Sequence, residues 1–279
     1  MKRKKKIKQV NPEKYNKEYF EQVYSIYDFT KKIDVTDKND FCWSISKLIK
    51  PNKNDLVVDF GCGVGHLAFF LYLMYKCRII GIDYAKDAIL LCEKNKKKFI
   101  KAHNVSENKI TFIHKDNNSL PHFKNIKVVY LQDVIEHLYD EEIDAILTTF
   151  KTWNDKKLYV AIRTDNNHYI KYVRPFIYLI SVLTNKRSWA EIKESGNWEK
   201  ERHVNLTTIR ELTGKLNKNS FKVEKAHYAP VSFQKTTLQL GKLGNIRPIA
   251  AFIYLIARFT PFLRPSFYLL ASYEVNKSW

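Results

Sequence analysis

Several features are missing from the sequence, and each absence excludes a class of protein. The four cysteines form neither a CxxC pair nor the spacing of a secreted disulfide framework, and no signal peptide opens the chain. We therefore expect reduced thiols in a cytoplasmic protein. No HxxxH motif or Cys/His ligand set is present, so the sequence predicts no metal site. No internal repeat or low-complexity linker marks a second independent domain.

Long hydrophobic runs are also missing. The two most apolar stretches, Phe176–Leu183 and Pro248–Ala257, fall short of the roughly 20 apolar residues that a membrane-spanning helix needs. Their basic and aromatic flanks are typical of helices that lie on a membrane, and they predict an anionic membrane surface as a partner, with peripheral attachment at the inner membrane face. The alternative is that both stretches cover a ligand pocket or pack on a sheet. The basic flanking residues are Lys171, Arg174, Lys186, Arg187, Arg258 and Arg264.

Acidic residues are few, because 29 Asp and Glu stand against 48 Lys and Arg, which gives a formal charge of +19. A charge of this size predicts attraction to lipid headgroups, acidic glycans or nucleic acid. Lys2–Lys8 is a basic arm with too little apolar content to fold alone. Nucleic acid is the less favoured partner, since no RNA-binding module and no basic stripe with stacking aromatics accompanies this arm. A compositional bias toward Lys and Asn would explain the charge without any partner.

The stretch Leu56–Leu71 has the pattern of a buried strand, a glycine-rich turn and the start of a helix. Asp59 closes the apolar run, and three glycines then allow the backbone to turn tightly and to approach a ligand at the helix N-terminus. The spacing DxGxGxG differs from the GxGxxG fingerprint of NAD-binding folds, which would place its third glycine at His66. The three glycines of this loop are Gly61, Gly63 and Gly65.

Strand-like and helix-like segments alternate along the rest of the chain, which predicts an α/β fold with a parallel sheet and helices on both faces. Several of the strands end in polar residues, as ligand-binding strands of such sheets do. The further predicted strands are Cys77–Asp83, Ile110–Asp116, Val128–Leu138 (running into a helix), Leu158–Ile162, Phe221–Lys225 and Tyr268–Val275. The predicted helices are Asn11–Tyr27, Phe41–Lys50, His66–Tyr75, Ala85–Ile100 and Thr207–Leu216.

The segments DFGCGVG at 59–65 and DVIEHL at 133–138 resemble two motifs of the class I S-adenosylmethionine-dependent methyltransferases. The second is similar to the DVLEHL signature of a subgroup that includes ubiquinone-biosynthesis, lipid and polysaccharide O-methyltransferases. The resemblance implies a Rossmann-like fold: a doubly wound, seven-stranded, mostly parallel sheet whose last strand runs antiparallel between the fifth and sixth. The NPPY-type tetrad of nucleic-acid amino-methyltransferases is replaced by LQDV, which argues against N-methylation of adenine or cytosine.

The same resemblance implies S-adenosylmethionine as the cofactor and assigns residues to it. Asp83 would accept hydrogen bonds from the ribose hydroxyls, in agreement with its place at the end of the second predicted strand. Asp116 and Asn117 would contact the adenine amino group. The other residues expected to bind the cofactor are Asp59, Gly61, Cys62, Gly63, Gly65, Tyr84 and Gln132.

The expected reaction is methyl transfer to oxygen of a small-molecule, lipid-precursor or glycan acceptor. The cofactor carries the activated group, so few side chains are obligatory. An acceptor hydroxyl can need a general base, for which Asp133, His137 and His203 are the candidates. The alternatives are an RNA methyltransferase and a non-catalytic scaffold that binds S-adenosylmethionine, although the intact glycines and Asp83 argue against the scaffold.

Two units follow from these patterns. Residues 1–40 form a basic tail and an N-terminal cap helix that resembles the YDxxYY opening of many methyltransferases, which folds over the cofactor. The resemblance implies a methyltransferase domain over residues 41–279, with an inserted lid at about 166–205 placed like the membrane-contacting insertion of the ubiquinone O-methyltransferases. The cap residues at helical spacing are Tyr15, Tyr19, Val23 and Tyr27, for which packing in the core is the alternative role.

Overall fold

One seven-stranded sheet carries the fold in the computed structural model. The structure describes residues 8–105, 109–116, 119–184, 187–231 and 246–275. The strands are β1 (Leu56–Phe60), β2 (Arg78–Asp83), β3 (Ile110–His114), β4 (Ile126–Gln132), β5 (Lys157–Asp165), β6 (Lys222–Tyr228) and β7 (Ser266–Glu274).

The strand order is β3-β2-β1-β4-β5-β7-β6. Strands β1 to β5 pair in parallel, with Val58 in register with Ile80 on one side and Val129 on the other. Strand β7 runs antiparallel to both β5 and β6. The predicted fold class and the inserted seventh strand are therefore confirmed. The carboxyl ends of the five parallel strands meet at one edge of the sheet, where open α/β folds bind their ligands.

Helices cover both faces of this sheet, and each face has its own apolar cluster. Helices α3 (His66–Tyr75) and α4 (Lys86–His103) bury one face, while α5 (Asp140–Phe150) and α8 (Ile209–Lys218) bury the other. The remaining helices are α1 (Lys17–Val23), α2 (Phe41–Ser46), α6 (Arg174–Leu183), α7 (Trp189–Lys200) and α9 (Arg247–Phe259). Short 3-10 turns lie at Pro12–Lys14, Ile135–His137, Lys151–Trp153 and Pro261–Leu263, and a π-helical turn at Tyr169–Val173.

The predicted cap helix 11–27 was too long. A 3-10 turn comes first, and α1 begins only after Asn16, because the Asn16 side chain accepts a hydrogen bond from the Tyr19 N–H at 3.0 Å and caps the helix there. Tyr27 therefore lies beyond the helix. Similarly, α8 begins later than predicted, because Thr208 and Glu211 form a capping box.

The segment DVIEHL was predicted to start a helix directly after β4, and this was wrong. Asp133 adopts a left-handed backbone conformation with φ of 56°, which interrupts the chain direction at the strand end. Only the 3-10 turn Ile135–His137 follows, and α5 starts at Asp140. Strand β3 also ends earlier than predicted, so that Asp116 lies in a loop.

Some predictions fall on residues outside the described ranges, namely the basic tail before Lys8, Asn117 and Lys186. Within the described ranges, no helix combines the length and the apolar character needed to cross a membrane.

Candidate functional site

A first cavity lies at the carboxyl ends of β1 and β2 and has a volume of about 580 Å³, part of it open to solvent. Gly61, Gly63, Asp83 and Tyr84 line it, as the sequence predicted for a cofactor site. The N-terminal cap and the turn after β4 complete the walls.

The glycine loop leaves no room for side chains on its cavity side. Gly61 and Gly63 have positive φ values of 73° and 53°. A Cβ added to Gly61 would lie 2.5 Å from a methyl carbon of Val134, and one on Gly63 would lie 3.1 Å from the Tyr24 hydroxyl. Gly65 faces the other way, toward Phe112 in the core. The first two glycines therefore shape the cavity, whereas the third permits core packing.

Asp83 ties this loop to the next helix. Its Oδ2 accepts a hydrogen bond from the Gly63 N–H and its Oδ1 accepts one from the Ala85 N–H, both at 2.9 Å. Burial raises the pKa of the Asp83 carboxyl to about 6, although the two backbone donors act in the opposite direction. The predicted ribose-binding carboxylate is thus held rigidly at the cavity wall.

Asp59 and Cys62 lie deeper, beneath the loop. Burial, together with the nearby charge of Asp83, raises the pKa of Asp59 to about 7. The Asp59 Oδ2 atom is buried and has no hydrogen-bond partner among the described residues. The Cys62 sulfur lies 3.9 Å from that of Cys92, so its side chain is a core contact.

The pKa of Asp59 predicts how the stability of the cofactor-free protein depends on pH. Because the folded state raises this pKa, folding favours the protonated form, and that stabilisation is lost as pH rises through about 7. Between pH 6.5 and 8.5 the wild type should lose about 1 kcal/mol more free energy of unfolding than Asp59→Asn. Urea unfolding at both pH values measures the difference. Identical pH dependence in the two proteins would contradict the assignment.

The N-terminal cap covers the first cavity with aromatic side chains. The Tyr15 hydroxyl lies 2.9 Å from the His137 Nδ1 atom, and the Tyr19 ring stacks on Trp198 with 5.3 Å between the ring centroids. Both tyrosines line the cavity and both are buried, so each also packs in the core. Of the other two cap residues at helical spacing, Val23 is exposed and Tyr27 stacks on His66, with 3.8 Å between ring centroids.

A second cavity of about 1030 Å³, partly open to solvent, adjoins the first. The polar residues of its lining come from the ends of β4 and β5, from the turn after β4 and from the segment after α7. Four residues, Tyr19, Tyr24, Asp133 and His137, line both cavities. The other polar or charged residues of the second cavity are Gln132, Glu136, Arg163, Asp165 and His203.

Asp133 and Arg163 are joined at the boundary between the cavities. Their side chains form an ion pair, and the Asp133 N–H donates a hydrogen bond to the Arg163 carbonyl at 2.9 Å. The guanidinium lies over the Phe41 ring, 5.3 Å from its centroid. These contacts fix the left-handed backbone of Asp133, a conformation that is sparsely populated for residues other than glycine and that is often found at functional sites.

Two histidines meet in the same place, with His137 and His203 edge to face and 4.7 Å between ring centroids. Burial lowers the pKa of His137 to about 3. Burial also lowers the pKa of His203, against the opposing influence of Asp165, whose Oδ2 lies 3.9 Å from the His203 Nδ1 atom. Both rings are therefore neutral near pH 7, and His203 is the more easily protonated of the two.

Glu136 is buried between these groups. Its Oε2 accepts a hydrogen bond from the Thr164 hydroxyl at 2.7 Å. Burial and the neighbouring carboxylate of Asp165 raise the pKa of Glu136 well above its usual range. A raised pKa favours the neutral acid. The hydrogen bond between Glu136 and Thr164 therefore has a structural role, because it joins the turn after β4 to strand β5.

One group of possible metal ligands was not expected from the spacing of the sequence. The ligand atoms of Asp40, Cys42 and His66 all lie within 4.8 Å of one another. The Asp40 Oδ2 atom already pairs with the His66 Nε2 atom at 2.9 Å, and Asp40 also caps α2 by accepting from the Cys42 N–H. The fold explains the group as a link between α2 and α3.

Some site residues were missed, and several predicted cofactor residues lie elsewhere: Gln132 lines the second cavity, and Asp59, Cys62 and Gly65 do not line the first. Asp116 is exposed, and its neighbour Lys115 lines the first cavity instead. Arg163 and Asp165 could have been found, because polar residues follow an apolar strand there. The sequence contains no pattern that identifies Tyr24 or Trp198 as site residues, because only the tertiary fold brings them to the second cavity.

A family model described as a methyltransferase domain matches residues 51–226, from the loop before β1 into β6. No curated protein is matched by sequence. Among solved structures, the magnesium protoporphyrin IX methyltransferase of Synechocystis PCC 6803 with bound SAH superposes with a TM-score of 0.54 and 16% identity, covering 94% of this chain and 98% of its own.

Two further solved structures have the same fold. The phosphoethanolamine N-methyltransferase 2 of Haemonchus contortus, in complex with S-adenosyl-L-methionine, has a TM-score of 0.60 and 10% identity over 96% of this chain and 61% of its own. The [4+2]-cyclase SpnF has a TM-score of 0.55 and 12% identity, covering 88% and 86% of the two chains. The family model spans more than half of the chain and includes both sequence motifs, so the chain belongs to the methyltransferase domain family and is a class I enzyme that uses S-adenosylmethionine.

Proposed function

We propose that the enzyme transfers a methyl group to an oxygen atom of a small molecule, lipid precursor or glycan held in the second cavity. The observation that carries this proposal is the common wall of the two cavities, formed by Tyr19, Tyr24, Asp133 and His137. Methyl transfer requires donor and acceptor to be held in line with water excluded. Two adjoining cavities that share lining residues would allow donor and acceptor to lie side by side.

The residues of the first cavity fit S-adenosylmethionine, which supplies an activated methyl group when bound. The cofactor carries a sulfonium and an ammonium charge, and the two buried carboxylates of Asp59 and Asp83 complement positive charge. Asp59 lies beneath the glycine loop, and its buried Oδ2 atom has no partner among the described residues. Gly61 and Gly63 would let the backbone approach the cofactor, and Asp83 would hold its ribose.

In the second cavity, His203 is the best placed general base. Its imidazole is neutral, and the Asp165 carboxylate beside Nδ1 would stabilise the ring once it accepts the proton of an acceptor hydroxyl. His137 is a weaker base, because burial lowers its pKa to about 3 and its Nδ1 atom lies 2.9 Å from the Tyr15 hydroxyl. Asp133 forms an ion pair with Arg163, so we expect it to position the acceptor and not to act as the base.

We expect His203→Ala to lower the rate of methyl transfer by about 10²- to 10⁴-fold while the affinity for the cofactor stays the same. The wild-type rate should rise with pH as the His203 ring loses its proton, and the variant should lack that rise. Transfer of a labelled methyl group measures both. His227→Ala is the matched control, because His227 is exposed on β6 away from the site. An unchanged rate in His203→Ala would remove the general base from the proposal.

The acceptor is identified by supplying labelled S-adenosylmethionine to separate lipid, glycan, small-metabolite and RNA fractions. A product heavier by one methyl group, with the label on oxygen, is expected in one of the first three fractions. Label recovered in RNA would favour an RNA methyltransferase instead. Cofactor binding without label in any fraction would favour the scaffold.

A further inference from the structure

Two helices present apolar faces to solvent instead of to the core. One is α6 with the π-helical turn before it, and the other is α9. On each helix the large apolar side chains recur at helical spacing along one face, and all of them are between 44% and 77% exposed. They are Tyr172, Phe176, Leu179 and Leu183 on the first helix, and Phe252, Leu255, Ile256 and Phe259 on the second.

The two helices are anchored at one corner of the molecule. The Asn166 side-chain amide, just before the π-helical turn, donates hydrogen bonds to the carbonyls of Phe262 and Arg264, just after α9, at 2.7 and 2.8 Å. The His168 ring also contacts the Phe262 ring edge to face, with 6.4 Å between centroids. The chain before α6 and the chain after α9 therefore meet at this corner. We call the exposed apolar residues of the two helices together the apolar platform.

The charge of the apolar platform has one sign. Neither 166–184 nor 246–265 contains an Asp or a Glu. Arg174 pairs with Glu199 and Arg264 binds backbone carbonyls, so these two cations face the protein. Lys171, Arg247 and Arg258 are exposed.

We propose that the apolar platform docks on an anionic lipid bilayer. A bilayer would bury the apolar side chains at the boundary of the acyl chains while the exposed cations meet anionic headgroups. A second copy of the chain fits less well, because a two-fold interface would bring the cations of Arg247 and Arg258 together without acidic partners. Nucleic acid would satisfy the cations but leave the apolar side chains in water.

The apolar platform also adjoins the acceptor side of the enzyme. A cavity between α6 and α7, lined by Arg174 and Tyr178, shares His203 with the second cavity. A lipid-borne acceptor could therefore reach His203 from beneath α6. This link rests on the proposed function, whereas docking itself does not.

The test is flotation of the whole protein with phosphatidylcholine vesicles that contain or lack phosphatidylglycerol, in the absence of acceptor. We expect flotation with the anionic vesicles at low salt, and a bound fraction that falls as salt is added. The paired variants Phe176→Asp with Leu183→Asp, and Phe252→Asp with Phe259→Asp, should each weaken binding at least about tenfold. Leu90→Asp is the matched control, since Leu90 is 59% exposed on α4, outside the apolar platform.

Four outcomes would overturn the proposal. The wild type could fail to float with either vesicle, or Leu90→Asp could release it as strongly as the paired variants. Light scattering could show a dimer that the paired variants dissociate, which would assign the surface to a second copy. An RNA gel shift that the paired variants abolish would assign it to nucleic acid. Calorimetric binding of S-adenosylmethionine by every variant would show that each is folded and would keep this result separate from the proposed reaction.

Discussion

Replacing Gly63 by Val is expected to abolish detectable binding of S-adenosylmethionine while the protein stays folded. Gly63 has a φ of 53°, and a Cβ there would lie 3.1 Å from the Tyr24 hydroxyl at the wall of the first cavity. A β-branched residue in this conformation is strained by about 1–2 kcal/mol, less than the roughly 5–15 kcal/mol that holds a domain together. The loop must therefore shift or the side chain must occupy the cavity. Calorimetry should show a dissociation constant raised more than about a hundredfold.

Gly196→Val is the matched control for this substitution. Gly196 lies within α7, and a Cβ added there meets nothing within 4 Å. This variant should bind the cofactor as the wild type does. Normal affinity in Gly63→Val would reduce the glycine loop to a simple turn and would remove the assignment of the first cavity to the cofactor.

Asp83→Ala should weaken cofactor binding by about 3 kcal/mol, or about a hundredfold in the dissociation constant. A hydrogen bond to a charged group contributes roughly 1.5–3 kcal/mol, and the carboxylate is expected to serve the ribose. The substitution also frees the Gly63 and Ala85 amides, which now donate to Asp83 at 2.9 Å. Asp83→Asn keeps one of the two acceptor oxygens and should retain part of the affinity.

Asp55→Ala is the control for Asp83→Ala. Asp55 precedes β1 at the opposite end of the sheet and accepts a hydrogen bond from the Asn52 N–H at 2.7 Å. Cofactor affinity should not change in this variant. If calorimetry gave Asp83→Ala the wild-type dissociation constant, the carboxylate would only brace the loop and the ribose would be held elsewhere.

The cofactor half of the fold could be predicted from sequence because its signals are local. The apolar run of β1, the glycines after it and the acid at the end of β2 lie within a short stretch of chain, and each pattern has a direct physical meaning. The structure places Gly61, Gly63 and Asp83 together at one cavity, as expected. The position of β7 was inferred from family resemblance, since no local pattern specifies a strand's neighbours.

The second cavity could not be predicted in the same way. Its wall joins Tyr24 from the cap, Arg163 from β5 and Trp198 from α7, which are far apart in sequence. The predicted helix boundaries were wrong where a single side chain or a single dihedral angle determines where the helix begins. Asn16 delays α1 by capping it, and the left-handed backbone of Asp133 separates β4 from the next helix. Hydrophobic periodicity carries no information about either.

The insertion of β7 between β5 and β6 also governs the order in which the two cavities can form during synthesis. Strands β1 to β4, with the glycine loop and the turn after β4 that line the first cavity, leave the ribosome before β5. Strand β5 pairs with β7 along its whole length, from Lys157 with Glu274 to Asp165 with Ser266, so this edge waits for a much later segment. Until then β5 is an open edge that can take a wrong neighbour, such as β6, which β7 must displace. The described lining residues of the first cavity, from Tyr15 to Leu138, are thus all made before β5, whereas Arg163 and Asp165 of the second cavity lie on the strand that pairs with β7.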